Sequence, residues 1–161
     1  MIVVVDSSPL IALVNLGEIA VLPALFGSVI VPPEIFDELR QPNRPELVRT
    51  FAAAPPQWLV ERKPALVEPI PALHAGEVAA INLAAELNAD LLLIDESAGR
   101  KAAAVRQIPV AGTIAVPELA ADRKLLDLKE AFARIKATDF WISHRLLDER
   151  LKRFYSKRAA P

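Results

Sequence analysis

The chain has 161 residues, 53% hydrophobic and 24% charged, with no cysteine and a formal net charge of −1. That balance fits a single compact fold with a substantial core, and it excludes disorder, a disulfide framework, a thiolate zinc or iron–sulfur site and a cysteine nucleophile. No apolar run approaches the roughly 20 residues of a membrane-spanning helix, and Met1 to Val5 lacks the basic start of a signal peptide, so a soluble, unprocessed, cytoplasmic chain with no membrane partner is expected.

Ile2-Val3-Val4-Val5 is a β-branched run too short for a helix and reads as a buried strand ending at Asp6. Ser8 is expected to cap a helix from Pro9 to about Leu16, closed by Gly17, and a second helix is expected over Glu18 to Phe26. Val29 to Val31 is the next strand; a helix then runs from Pro32-Pro33 through Arg40, with Ile35, Phe36 and Leu39 as its apolar stripe. Half of the 14 prolines fall between Pro42 and Pro71, so residues 42–71 read as an insertion with a short helix near Pro45 to Ala53 and a strand at Trp58 to Glu61. Gly76 to Asn88 is a strong helix, with Val78, Ala79, Ile81, Ala85 and Leu87 expected inside. Leu91 to Ile94 is a strand ending at Asp95. Glu96 to Gln107 is a helix with a basic face, and Pro109 to Ala111 a last short strand. Three more helices are expected at about Ile114 to Asp122, Leu128 to Ile135 and Ile142 to Phe154.

Strands alternating with helices imply an α/β fold, a mainly parallel sheet covered on both faces, in which ligands occupy the crevice beyond the carboxyl ends of the strands. The main domain is expected over residues 1–140, with a basic helix and tail over 141–161. Asp6 and Asp95 each end a strand at that edge, where either one alone could be a helix cap. Glu77 lies in the first turn of its helix, where the dipole favours an ionised carboxylate and Gly76 permits close approach. Glu38 sits beside the buried stripe of its helix and is expected to face the crevice, whereas Glu34 and Asp37 are expected to face water. Four carboxylates gathered at one edge repel one another unless a cation neutralises them. An all-oxygen set favours Mg²⁺ or Mn²⁺, ions that equip a site for metal-assisted phosphodiester hydrolysis.

In order and spacing, Asp6 in VVVDSSPLIAL, Glu38 in VPPEIFDEL, Glu77 in HAGEVAAINLA and Asp95 in LLLIDESAGRKAA resemble the PIN domain, in particular the VapC-like toxin branch with its GExxAI form of the third acidic motif. The resemblance runs from Ile2 to about Ala120. It implies a metal-dependent ribonuclease that cuts RNA, commonly forms a homodimer and is held inactive by a cognate antitoxin. It also implies that Asp6, Glu38, Glu77 and Asp95 form the catalytic and metal-binding quartet. In the fourth motif, Asp95 is followed by Glu96 and Ser97 where many relatives carry a threonine before and an aromatic after the aspartate, so Glu96 could share its role.

Residues 100–161 hold 14 basic and 7 acidic groups against 5 and 13 in residues 1–99, a pattern compatible both with solvated helix faces and with an RNA path. Arg100 and Lys101 are the expected RNA or site contacts, with the basic tail as an alternative dimerisation or antitoxin surface carrying Leu146, Leu147 and Leu151 as its apolar stripe. Thr113 either reaches the crevice or caps a helix. Ser7 and Ser8 have no assignable histidine base and read as capping residues; His74 and His144 show no metal-ligand spacing. A glycine-rich phosphate loop is absent, and Asp6 is followed by Ser7-Ser8 rather than by the Asp-x-Asp of a haloacid-dehalogenase-like phosphatase. A different metal-dependent phosphoryl-transfer enzyme and a non-catalytic PIN-like binding module stay open as alternatives.

Overall fold

Five short strands carry the architecture: β1 (Val3–Val5), β2 (Val29–Val31), β3 (Leu59–Glu61), β4 (Leu91–Leu93) and β5 (Val110–Ala111), all parallel, in the order β3-β2-β1-β4-β5. The computed structural model describes residues 1–160, which fall into two compact units, Met1–Thr113 and the residues from Ile114 onward. The first unit holds the sheet with α1 (Ser7–Asn15), α2 (Val21–Phe26), α3 (Pro33–Leu39), α4 (Glu46–Ala53), α5 (Ala75–Glu86) and α6 (Ser97–Val105). Val3, Val4 and Val5 are all buried although successive side chains point to opposite faces, so β1 is covered on both sides, as an α/β sheet requires. One layer of the core joins Val4 and Leu92 to Ala80, Ile81, Leu83 and Ala84 of α5 and to Ala103 of α6.

The chain builds outward from β1 to β2 and β3, then returns to β1's other side for β4 and β5. The topological switch therefore lies between β1 and β4, where crossover helices diverge and leave a crevice at the carboxyl ends. Val5 pairs in register with Leu93, and the Asp6 N–H extends the ladder by donating to the Leu93 carbonyl at 2.9 Å. Asp6 is thereby fixed level with the end of β4.

Several local expectations need correction. α1 begins at Ser7, with Asp6 in the N-cap position in extended conformation (φ −80°, ψ 169°), so neither serine caps it. The strand passes directly into the helix, and Pro9 is tolerated because the first-turn N–H groups lack intrahelical partners anyway. Residues 18–20 form a turn and α2 starts only at Val21, while Gly17 ends α1 with φ +70° as expected. In α5, Ala85 is exposed and Val78 and Leu87 are only half-buried; the inward face is Gly76, Glu77, Ala79, Ala80, Ile81, Asn82, Leu83 and Ala84. The face is wider than a stripe because the helix lies against both the sheet and its neighbours α3 and α6. The proline-rich stretch supplies α4, which packs on α1 and α3, and the edge strand β3.

The second unit consists of α7 (Ala115–Asp122), α8 (Leu128–Lys136) and α9 (His144–Ala159). α8 packs against both others through a side that buries Leu128, Ala131, Phe132 and Ile135. Arg150 of α9 grips Glu118 of α7 with two hydrogen bonds of 2.7 and 2.5 Å, and Lys136 pairs with Asp148. On α9 only Leu147 is fully buried; Leu151 is half-buried and Leu146 exposed, so the expected three-leucine stripe reduces to two. Among the described residues no helix is long and apolar enough to cross a membrane.

Candidate active site

At the carboxyl edge of the sheet, a crevice of about 500 Å³ is lined by Asp6, Ser7 and Ser8 from β1 and α1, Glu34, Asp37 and Glu38 from α3, Gln41 and Arg44 from the following turn, His74, Ala75 and Glu77 from the start of α5, and Glu96. Asp6 reaches it because β1 ends there. Its side chain is 2% exposed, and its Oδ1 is buried with no hydrogen-bond partner.

Glu77 stands in the first turn of α5. Its Oε2 accepts the His74 backbone N–H at 3.1 Å, satisfying one of the helix's free amides, while its Oε1 is buried and without a partner. The helix-start contact thus uses one oxygen of the carboxylate and leaves the other unpartnered. Glu38, half-buried in the last turn of α3, lies against Gly76: a Cβ on that glycine would collide with the Glu38 Oε1. Gly112 stands in a similar relation to Asp95, whose Oδ1 a Cβ would meet at 2.9 Å, whereas a Cβ on Gly99 would collide first with Ile94 Cδ1 and meet the Glu77 Oε1 only at 3.1 Å.

Asp95 is engaged differently. It is not among the crevice-lining residues, and its two oxygens accept the Thr113 backbone N–H at 2.7 Å and the Thr113 Oγ1 hydroxyl at 2.6 Å. Thr113 is fully buried and the N-cap of α7 is Ile114, so Thr113 does not cap the helix; its hydrogen bonds hold Asp95. Arg100 turns its Nη1 back to the Ile94 carbonyl at 3.4 Å and, like the exposed Lys101, does not line the crevice.

Two lining residues run against the sequence expectation. Glu34 is half-buried rather than turned to water, and its Oε2 is buried and unpartnered; Asp37 is exposed but also lines the crevice. The spacing of Glu34 and Glu38, four residues apart on α3, is the available signal, since such pairs share a helix face. Arg44 carries no sequence pattern at all. His74 is the N-cap residue of α5 and borders the crevice, whereas His144 begins α9 in the other unit.

Burial, and after it the negative charges of Glu38, Glu77 and Asp95, pushes the Asp6 carboxyl up to about 7, against the opposing pull of the Ser7 backbone N–H. Glu38, Glu77 and Asp95 are therefore each close enough to Asp6 to act on it electrostatically. Among the described residues, no three His or carboxylate side chains stand in ligating array around one point. The donor set nevertheless suits a hard divalent cation, because it is all oxygen and leaves buried carboxylate oxygens on Asp6 and Glu77 without a counter-charge.

No curated protein and no solved structure matches the chain. A family model does: DUF3368, described as a PIN domain, matches residues 2–156, nearly the whole length. With strand-end acidic residues on a five-stranded parallel sheet, the chain belongs to this PIN-domain family, whose function is in general terms of the nuclease type.

Proposed function

We propose that the protein is a Mg²⁺- or Mn²⁺-dependent endoribonuclease, the toxin of a toxin–antitoxin pair, which cleaves RNA phosphodiester bonds in the crevice at the β1 end. The observation that carries this reading is the pair of buried, unpartnered carboxylate oxygens on Asp6 and Glu77. A buried anionic oxygen with no donor costs several kcal/mol, on the order of the desolvation of an unpaired ion, unless a cation or proton accompanies it. The choice of RNA rests on the likeness of Gly76-Glu77-x-x-Ala80-Ile81 and the flanking motifs to the VapC-like branch.

Asp6, Glu38, Glu77 and Asp95 would hold the ion. When bound, it supplies charge to polarise the phosphodiester and makes a water more acidic. The chain's own residues do the positioning. The His74 amide fixes the Glu77 rotamer, and Thr113 fixes that of Asp95, which keeps about two of its roughly four acceptor sites free. Ser7 and Ser8 bring hydroxyl donors to the crevice wall, and Glu96 brings an acceptor to the same crevice. Thr113→Val keeps the shape of the side chain and removes its hydroxyl. It is expected to cut RNA cleavage roughly 10- to 100-fold, the usual effect of losing a partner behind a metal ligand. Cleavage by the valine variant at the wild-type rate would detach Asp95 from the site.

The test of the reading is cleavage of a mixed single-stranded RNA with Mg²⁺, with Mn²⁺ and in excess EDTA, using wild type and single Asn or Gln variants of the four carboxylates. Metal-dependent cleavage lost in each variant is expected; cleavage undiminished in EDTA contradicts the reading. A non-catalytic binding module, favoured only by the open spacing of the carboxylates, would show no cleavage under any condition. The antitoxin and a homodimer complete the proposal. Co-purification with a natively expressed partner and light scattering across a range of concentrations test them.

A further inference from the structure

Asp6, Glu34, Glu38, Glu77 and Glu96 give the crevice a wall that repels any phosphate approaching it. Among the described residues that line it, the one carrying a permanent positive charge is Arg44, in the turn between α3 and α4. That turn holds Arg44 firmly. Its backbone N–H donates to the Gln41 carbonyl at 3.0 Å, its own carbonyl accepts the Arg49 Nε–H at 3.1 Å, and its Nε–H donates to the Glu38 carbonyl at 3.2 Å.

The side chain is half-buried, and among the described residues its guanidinium forms no ion pair with the carboxylates beside it. One donor of the fork is therefore anchored to the end of α3, and the terminal nitrogens remain uncommitted at the crevice wall. A guanidinium fixed in this way has lost much of its rotamer freedom before any ligand arrives, which favours two-point contact with phosphate oxygens. Arg100 lacks these features, since it is turned back to the Ile94 carbonyl and lies outside the lining.

We propose that Arg44 is the phosphate anchor of the crevice, its terminal nitrogens binding non-bridging oxygens of the RNA backbone so that a phosphodiester settles against the carboxylates. This rests on the nuclease reading for the identity of the ligand, although the anchoring itself requires only a phosphate.

The experiment measures binding of a fluorescent single-stranded oligouridylate to the cleavage-silent Asp6→Asn protein across a range of salt, with and without Arg44→Gln or Arg44→Lys. In parallel, the side-chain NMR signal of the Arg44 Nε–H is followed as inorganic phosphate is added to wild type. Arg44→Gln is expected to weaken oligonucleotide binding about 10-fold and to reduce the salt slope by about 1, the signature of one lost phosphate contact. The melting temperature should stay at its reference value, as should the Mn²⁺ affinity when Arg44→Gln is introduced alone into the wild-type chain. Arg44→Lys should restore the slope and only part of the affinity, because it keeps the charge and loses the fork. Unchanged affinity and slope in Arg44→Gln overturn the proposal, as does a wild-type protein that binds neither probe. A binding loss that tracks a fall in melting temperature, and that Arg44→Lys shares in full, also overturns it by assigning Arg44 to the fold alone. If Arg44-dependent binding is present but wild type never cleaves RNA with Mg²⁺ or Mn²⁺, the nuclease reading fails and the anchor stands. Metal-dependent cleavage with an unaltered KM in Arg44→Gln means the reverse.

Discussion

Asp6→Asn is expected to lower metal-dependent RNA cleavage roughly 10³-fold, the scale of losing a group that supports the charged transition state, while making the metal-free protein more stable at neutral and alkaline pH. The two effects have one cause. Asp6 is 2% exposed, and its carboxyl is raised from 3.8 to about 7 chiefly by burial. Between those values the native state keeps a proton that the unfolded chain has released. The stability associated with Asp6 is therefore complete below about pH 4 and declines as pH rises through about 7, where the native carboxyl must ionise. Ionising so elevated a carboxyl costs the native state on the order of 4 kcal/mol above about pH 8 in the absence of metal. An asparagine cannot ionise, so its variant should melt about 5 °C or more above wild type at about pH 8 and close to it at about pH 4.5. Calorimetric melting of both proteins in EDTA across this range checks the claim, and parallel pH profiles would contradict it.

Glu77 is expected to show the opposite separation. Glu77→Ala removes both the crevice oxygen and the acceptor of the His74 N–H, so cleavage should fall by roughly 10²-fold or more and stability by about 1 kcal/mol. Glu77→Gln keeps a carbonyl oxygen for that amide and loses only the charge. It should match the alanine variant in lost cleavage while melting at or above wild type. If glutamine restores cleavage along with stability, Glu77 serves the helix start and not the reaction.

Much of the fold is legible in the residues because buried parallel strands announce themselves: Val3–Val5 and Leu91–Leu93 are continuous apolar runs, each with an aspartate one or two residues beyond. The positions of the crevice and of Asp6, Glu38 and Glu77 along its wall follow from strand order and helix phase. Elsewhere tertiary context decides. Ser8 is a good capping residue by type, yet the backbone of Asp6 is already extended and α1 starts immediately after it. Glu34 looks solvent-facing on its own helix; it is half-buried because its helix borders the crevice, which periodicity within one helix does not register. The partnership of Asp95 with Thr113, 18 residues away, depends on β4 and β5 being neighbours, and nothing in the local sequence of either residue encodes it. The same holds for Arg44, whose place is set by the turn from α3 to α4. The glycines are an intermediate case: Gly76 is recognisable as a place of close approach, but that it makes room for the Glu38 carboxylate requires the packing of α3 on α5.

If the buried carboxylates at the β1 end require a divalent cation, calorimetric titration of metal-free protein with Mn²⁺ at about pH 7.5 will register its binding. Wild type is predicted to bind with release of protons, because Asp6 is partly protonated before the ion arrives, and to melt higher as Mn²⁺ increases. Asp6→Asn is predicted to lose the binding heat, the proton release and the melting shift together. Absence of Mn²⁺ binding to wild type, or binding of equal strength to the asparagine variant, would contradict the account.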